Sequence, residues 1–212
     1  PYDGRFTFAR IRFPMTEDAW GDVKWAHDYP RAERHFMEIL NTITTLHPTM
    51  GGGTVLELSD PDLFRYPFAY LCEPGFWAPS EEDVVALRAY LQKGGFLIVD
   101  DFPPQQWYNF EQVMRRVLPG ASPVRLDPAH PIFDSFYHLE LAELQQGGYY
   151  ARGQFLGYFE DDDPTKRLMV IANFGQDMGE LWEWSDEGIM PIDMSNLAYK
   201  LGINYLVYSM TH

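Results

Sequence analysis

The chain has 212 residues, of which 46% are hydrophobic and 22% charged, and this composition excludes a disordered, collagenous or low-complexity protein. Its 16 basic and 31 acidic residues leave a formal net charge of −15, so nucleic acid and anionic lipid surfaces are repelled and are not expected as partners. One cysteine, Cys72, forbids an internal disulfide and a cysteine-based zinc site, and no apolar run nears the roughly 20 residues that span a bilayer.

Residues 6–13 alternate apolar and polar side chains up to Pro14, which reads as a strand. A loop rich in Trp, Asp and Gly covers 14–29. Asp28 or Tyr29 can cap a helix that opens with Pro30, and Phe36, Ile39, Leu40 and Ile43 carry its apolar stripe to about Leu46. Glycines 51–53 break the chain before a short strand at 54–58 and a more buried one at 67–72. Ser80-Glu81-Glu82-Asp83 has the form of a capping box, Val84, Leu87 and Leu91 follow at helical spacing, and Gly94-Gly95 stops the helix.

Phe96-Leu97-Ile98-Val99 is wholly apolar, as in a central parallel strand, and ends in Asp100-Asp101. A third helix is expected over 107–118, a strand at 124–126, and two more at 155–159 and 168–174 around the exposed acidic turn 160–163. Trp182-Glu183-Trp184 alternates like an edge strand with both tryptophans on one face. Asp193 can cap a last helix carrying Leu197, Ala198, Leu201 and Tyr205. Strands alternating with helices predict an α/β fold: a central, mainly parallel sheet with helices on both faces. Residues 1–212 read as one domain, with 127–212 packed on the same sheet. The opening Pro1-Tyr2-Asp3 reads as that of a processed or trimmed product.

Four stretches carry a resemblance: 25–33 (Trp25-Ala26-His27-Asp28-Tyr29-Pro30 onward), 70–76 (Tyr70-Leu71-Cys72-Glu73-Pro74 onward), 94–102 around Asp100-Asp101, and 201–205. Together they resemble the bacterial family called domain of unknown function 4159. The resemblance implies a flavodoxin-like three-layer sandwich of the class I glutamine-amidotransferase-like kind. It also implies a place outside the cytoplasm, exported or joined to membrane segments. Residues 127–133, with His130-Pro131, are similar to a segment of ThuA-like proteins.

An amidotransferase triad would need Cys72 on a G-x-C-x-G elbow and an acid after His130-Pro131. Leu71-Cys72-Glu73-Pro74 lacks the first glycine and Ile132 replaces the acid, so Cys72 is read as a buried structural cysteine. An acidic cleft is the second candidate. In an open parallel sheet, ligands bind beyond the carboxyl ends of the strands. Trp20, Asp22, Trp25, His27 and Asp28 from the first loop, Glu73 from the second and Asp100-Asp101 from the third are expected to meet there. Close carboxylates can share a proton or bind a hard cation, and a histidine beside them could serve as a general base. The plainer alternative has Asp100 or Asp101 bonding loop amides and Asp28 merely capping a helix.

Loop tryptophans can stack on sugars or anchor an interface, and Trp182 and Trp184 are the expected anchors. Glu160-Asp161-Asp162-Asp163 lacks calcium-loop spacing, and no phosphate-loop, dinucleotide or zinc-protease motif occurs, so no cofactor and no metal are assigned. The expectation is a non-catalytic extracytoplasmic binding or accessory domain. It would dock on a membrane-associated protein complex, with Trp25, His27, Asp28, Glu73, Asp100 and Asp101 as its small-molecule or sugar site. The alternative is a hydrolase-like or carbohydrate-active enzyme using His27, Glu73, Asp100 and Asp101.

Overall fold

In the computed structural model, which describes residues 5–51, 53–146, 149 and 153–212, the apolar and alternating segments pair into one sheet. Its strands are β1 (Ala9–Ile11), β2 (Thr54–Leu56), β3 (Phe68–Cys72), β4 (Phe96–Phe102), β5 (Val124–Arg125), β6 (Gln154–Phe159) and β7 (Leu168–Phe174). The order across the sheet is β2-β1-β3-β4-β7-β6-β5. The first five of these run parallel, and β6 is antiparallel to both β7 and β5. β3 and β4, in the middle, have no exposed residue, which is why their sequences are continuously apolar up to the terminal acids of β4.

Helices close both faces, giving a three-layer α/β sandwich. Helix α1 (Arg31–Ile43), the short α4 (Leu141–Gln146), α5 (Met178–Glu183) and α6 (Ile192–Thr211) pack on one face. Phe36, Leu40, Trp182, Leu201 and Tyr205 meet Phe68, Tyr70, Phe96 and Ile98 there. Helices α2 (Glu81–Gln92) and α3 (Trp107–Val117) pack on the other, where Leu87, Leu91, Phe110 and Met114 meet Ala69, Leu71, Leu97 and Val99. The period of two along each strand assigns alternate residues to the two cores, and each fully buried large apolar side chain contributes about 1.5–3 kcal/mol. Ser80 and Asp83 form the expected capping box at the start of α2.

The structure corrects four local expectations. The first strand pairs only over Ala9–Ile11, because β2 offers three residues and β3 meets β1 only at Arg10↔Tyr70. Trp182-Glu183-Trp184 is not an edge strand. Trp182 and Glu183 end α5 and Trp184 caps it, since Asp177 accepts from the Glu180 amide and starts a helix. Asp193 lies inside the first turn of α6, after Pro191 and Ile192, and does not cap it. Asp28 holds α1 through its carbonyl, which accepts from the Ala32 amide at 2.9 Å, rather than through its carboxylate.

Candidate functional site

Beyond β1 the connections lead outward to β2, and beyond β3 they lead the other way to β4, so the sheet has its topological switch between β1 and β3. The loop after β1 brings His27 and Asp28 back over this point, β3 delivers Glu73, and β4 delivers Asp101. Glu73, Asp101 and Asp28 have left-handed backbones with φ of 50°, 47° and 63°. That conformation costs a side chain about 1 kcal/mol or more, least for Asp; Glu73 directly follows β3, Asp101 lies near the end of β4 and Asp28 precedes α1.

His27 is the centre of the cluster. Its Nδ1 lies 3.1 Å from Glu73 Oε1 and 3.2 Å from Asp101 Oδ2, and its Nε2 is hydrogen-bonded to Asp22. Lys24 Nζ lies 3.3 Å from Asp22 Oδ2 and 3.6 Å from Glu73 Oε1. The Gln106 amide donates to Glu73 Oε2, and Gln106 Oε1 accepts from the Gly75 amide at 2.9 Å. Hydrogen bonds donated to Asp101, then to Glu73, push the His27 pKa up to about 11 against the opposing effect of burial. The imidazole is therefore a cation at neutral pH and cannot accept a proton as a general base.

A second layer of acids lies below. Asp100 has no exposed surface. Its Oδ1 accepts from Asn173 at 2.9 Å, and its Oδ2 accepts from the Tyr70 hydroxyl at 2.8 Å and from the Met178 and Gly179 amides at 2.8 and 3.1 Å. Asp100 thus fastens α5 to the sheet, and the two adjacent aspartates divide the roles between them. Burial, and then the Asp101 charge, push the Asp28 and Asp177 carboxyls well above the usual carboxylate range. Asp28 Oδ2 is buried and without a hydrogen-bond partner among the described residues. It packs so closely on Gly179 that a Cβ there would come within 2.3 Å. Two groups of atoms could hold a cation: His27, Glu73 and Asp101, and the neighbouring Asp28, Glu180 and Glu183, each with ligand atoms within 4.8 Å of one another.

Of the residues expected here, His27, Glu73 and Asp101 converge, Asp28 adjoins them, and Asp100 lies beneath as a structural acid. Trp25 contributes its carbonyl to Arg10 Nη1 at 3.1 Å, and the residue lines a neighbouring cleft of about 410 Å³ with Arg12, Glu57 and Asp83. Trp182 is not a surface anchor. It is 1% exposed, with its ring 4.8 Å from Phe36 and 6.1 Å from Tyr70. Trp184 lies under the Arg31 guanidinium at 4.8 Å. Cys72 is buried and accepts from Arg10 Nη1 at 3.1 Å, and burial pushes its thiol well above the usual range. His130 packs on Phe159 and Tyr208 where β7 begins, at the opposite edge of the sheet, so no Cys72–His130 dyad forms.

Sequence reasoning missed Gln106, Asp177, Glu180 and Glu183. Asp177-Met178-Gly179-Glu180 has capping-box spacing and could have revealed α5. The family model for the domain of unknown function 4159 (DUF4159) matches residues 7–210, and the chain belongs to this family. A comparison with curated proteins finds no match.

Proposed function

We propose that this member of the family is a non-catalytic binding domain that takes a cationic group at its strand-end cluster. The observation that carries the reading is His27 Nδ1 standing between Glu73 Oε1 and Asp101 Oδ2 at the sheet's switch point. A protonated imidazole already occupies the place of a counter-cation there, between two carboxylates, and Glu180 and Glu183 form part of a neighbouring acidic group. Such a field attracts a metal ion, or the ammonium or guanidinium of a docked protein. The hydrolase alternative is weakened because His27 is held charged and Asp100 is committed to the fold.

The strand order β2-β1-β3-β4-β7 has the flavodoxin pattern 2-1-3-4-5, which supports a flavodoxin-like, amidotransferase-like class for the scaffold. The enclosed Cys72 and its separation from His130 speak against glutaminase chemistry. The resemblance of the motifs at 25–33, 70–76 and 94–102 supports the wider setting: an accessory subunit outside the cytoplasm, docked on a membrane-associated complex. Among the described residues no helix is long and apolar enough to cross a membrane.

Calorimetric titration with Zn2+, whose nitrogen and oxygen preferences suit one imidazole and two carboxylates, tests the site. A parallel titration with a lysine-rich peptide tests a protein cation. Binding of either probe that disappears in the Glu73→Gln, Asp101→Asn double variant supports the reading. Zn2+ binding at this cluster should release the His27 proton. Binding of neither, or binding indifferent to the double variant, removes it.

A further inference from the structure

At the opposite edge of the sheet, where the chain enters β3 and β4, a cleft of about 700 Å³ opens between the Phe64–Pro67 turn and the Lys93–Gly95 turn. Its charge has the wrong sign for this chain. Arg65 and Lys93 line it and no carboxylate does among the described residues, although acids outnumber bases by 31 to 16. Asp62 engages Arg65 Nε at 3.1 Å and leaves the terminal nitrogens of that guanidinium without a further partner among the described residues. Lys93 Nζ has no carboxylate partner there and rests over the exposed Phe64 ring at 5.0 Å.

The end of α2 would normally present its negative carbonyl pole to this cleft. Arg167 removes it: Nη2 donates to Leu91 O at 2.6 Å and Nη1 to Gly95 O at 3.1 Å, with Glu160 3.8 Å from its Nε. The walls are fixed. The Tyr90 ring meets Phe64 edge-on at 6.0 Å and its hydroxyl donates to Tyr66 O at 3.0 Å. A Cβ on Gly95 would strike the Tyr90 ring at 2.4 Å, whereas one on Gly94 would meet nothing within 4 Å, so the floor is open at Gly94.

We infer that this cleft binds a soluble organic phosphate, with the phosphate between Lys93 and Arg65 and a flat apolar body on Phe64. Lys93 supplies a cation with no carboxylate partner among the described residues, and the Arg65 guanidinium, although paired at Nε with Asp62, keeps terminal nitrogens that fit phosphate oxygens. The volume lies in the range of small-molecule sites, roughly 300–1,000 Å³. An exposed aromatic ring beside the cations supplies a stacking surface. This site is independent of the His27 cluster, which lies at the other edge and has the opposite sign.

Phenyl phosphate titrated into the whole chain, followed by backbone amide NMR, tests it. Saturable shifts should appear at Lys93, Gly94, Gly95 and Arg65 and leave His27 and Asp101 unmoved. The exposed substitutions Arg65→Gln with Lys93→Gln should weaken binding at least about tenfold, and Arg125→Gln on the edge strand should leave it unchanged. Vesicles of phosphatidylglycerol form the second arm, because a lipid headgroup offers the same phosphate. Phenyl phosphate shifts that do not saturate, or that persist in the double variant, overturn the proposal. So does vesicle binding that phenyl phosphate does not compete away.

Discussion

His27 Nδ1 and Asp101 Oδ2 meet at 3.2 Å, joining the loop after β1 to the end of β4 across the intervening β3. With Glu73 they hold the imidazole as a cation up to about pH 11, against an unfolded value near 6.5. The folded pKa is the higher one, so this stabilisation is complete below about pH 6.5 and is lost as pH rises toward 11. His27→Gln should lower stability by about 1–2 kcal/mol near pH 6, the partial exposure of the ring having been allowed for. The gap from the parent should narrow steadily above about pH 6.5 and close as pH reaches about 11. Urea unfolding at several pH values measures it, and a gap that does not change with pH would mean that shape rather than charge is lost.

Asp28 behaves in the same direction for a different reason. Burial, with the Asp101 charge adding, raises its carboxyl well above the ordinary 3.8. Its contribution is favourable in acid and is lost as pH rises through the folded pKa. Asp28→Asn removes the group that burial disfavours in its charged form, at nearly constant shape. It should raise stability by about 1–2 kcal/mol near pH 7.5 and by little near pH 4. Paired thermal melts at those two pH values decide the matter, and a variant less stable at both would show that the carboxylate is well compensated.

The elements were legible in the sequence where a single period governs them. The apolar run 96–99 reads as a buried strand, which the structure extends to Phe102, and the stripes of α2 and α3 read as amphipathic helices. Arg10 was not legible: alternation places it among polar residues of a half-exposed strand, yet it is 1% exposed and ion-paired with the buried Glu33 of α1. Nothing local announces a charge that a helix neutralises from across the core. The short α5 was hidden by Trp182-Glu183-Trp184, whose alternation mimics a strand over three residues. In the site, the strand-end rule placed His27, Glu73 and Asp101 together. Which of Asp100 and Asp101 faces the core depends on the register of β4 and the irregularity in its pairing with β7, and both belong to the sheet rather than to the dipeptide.

Cys72 should be chemically silent while the chain is folded. It is buried, its thiol is pushed up by burial, and it lies between Arg10 and the Lys24 and Trp25 carbonyls, each 3.4 Å from Sγ. Thiolate is the reactive form, so both access and charge oppose alkylation. Iodoacetamide should label the native chain at a rate set by unfolding and the denatured chain at once. Fast native labelling, or glutamine-dependent ammonia release abolished by Cys72→Ser, would reinstate a nucleophile.

Trp182 and Trp184 separate folding from docking. Trp182 fills the space among Phe8, Phe36, Tyr70 and Tyr199, with ring centroids 4.8–6.3 Å away, so it belongs to the core that α1, α5 and α6 share. Trp182→Ala should therefore cost about 3–5 kcal/mol through lost contacts and the cavity left behind. Trp184 sits at the end of α5 beside Arg31, whose guanidinium also pairs with Asp186 and Glu187 at 2.7 and 2.6 Å. An exposed cation–π pair is worth about 0.5–1 kcal/mol, so Trp184→Ala should cost no more than that. Urea unfolding of the two single variants gives both numbers. A partner bound through this face should then lose affinity with Trp184→Ala while stability barely moves, which sizing of the native complex at low and high salt would reveal. If Trp182→Ala unfolds at the same urea concentration as the parent, the packing of α5 on the sheet is wrong and both tryptophans return to the surface.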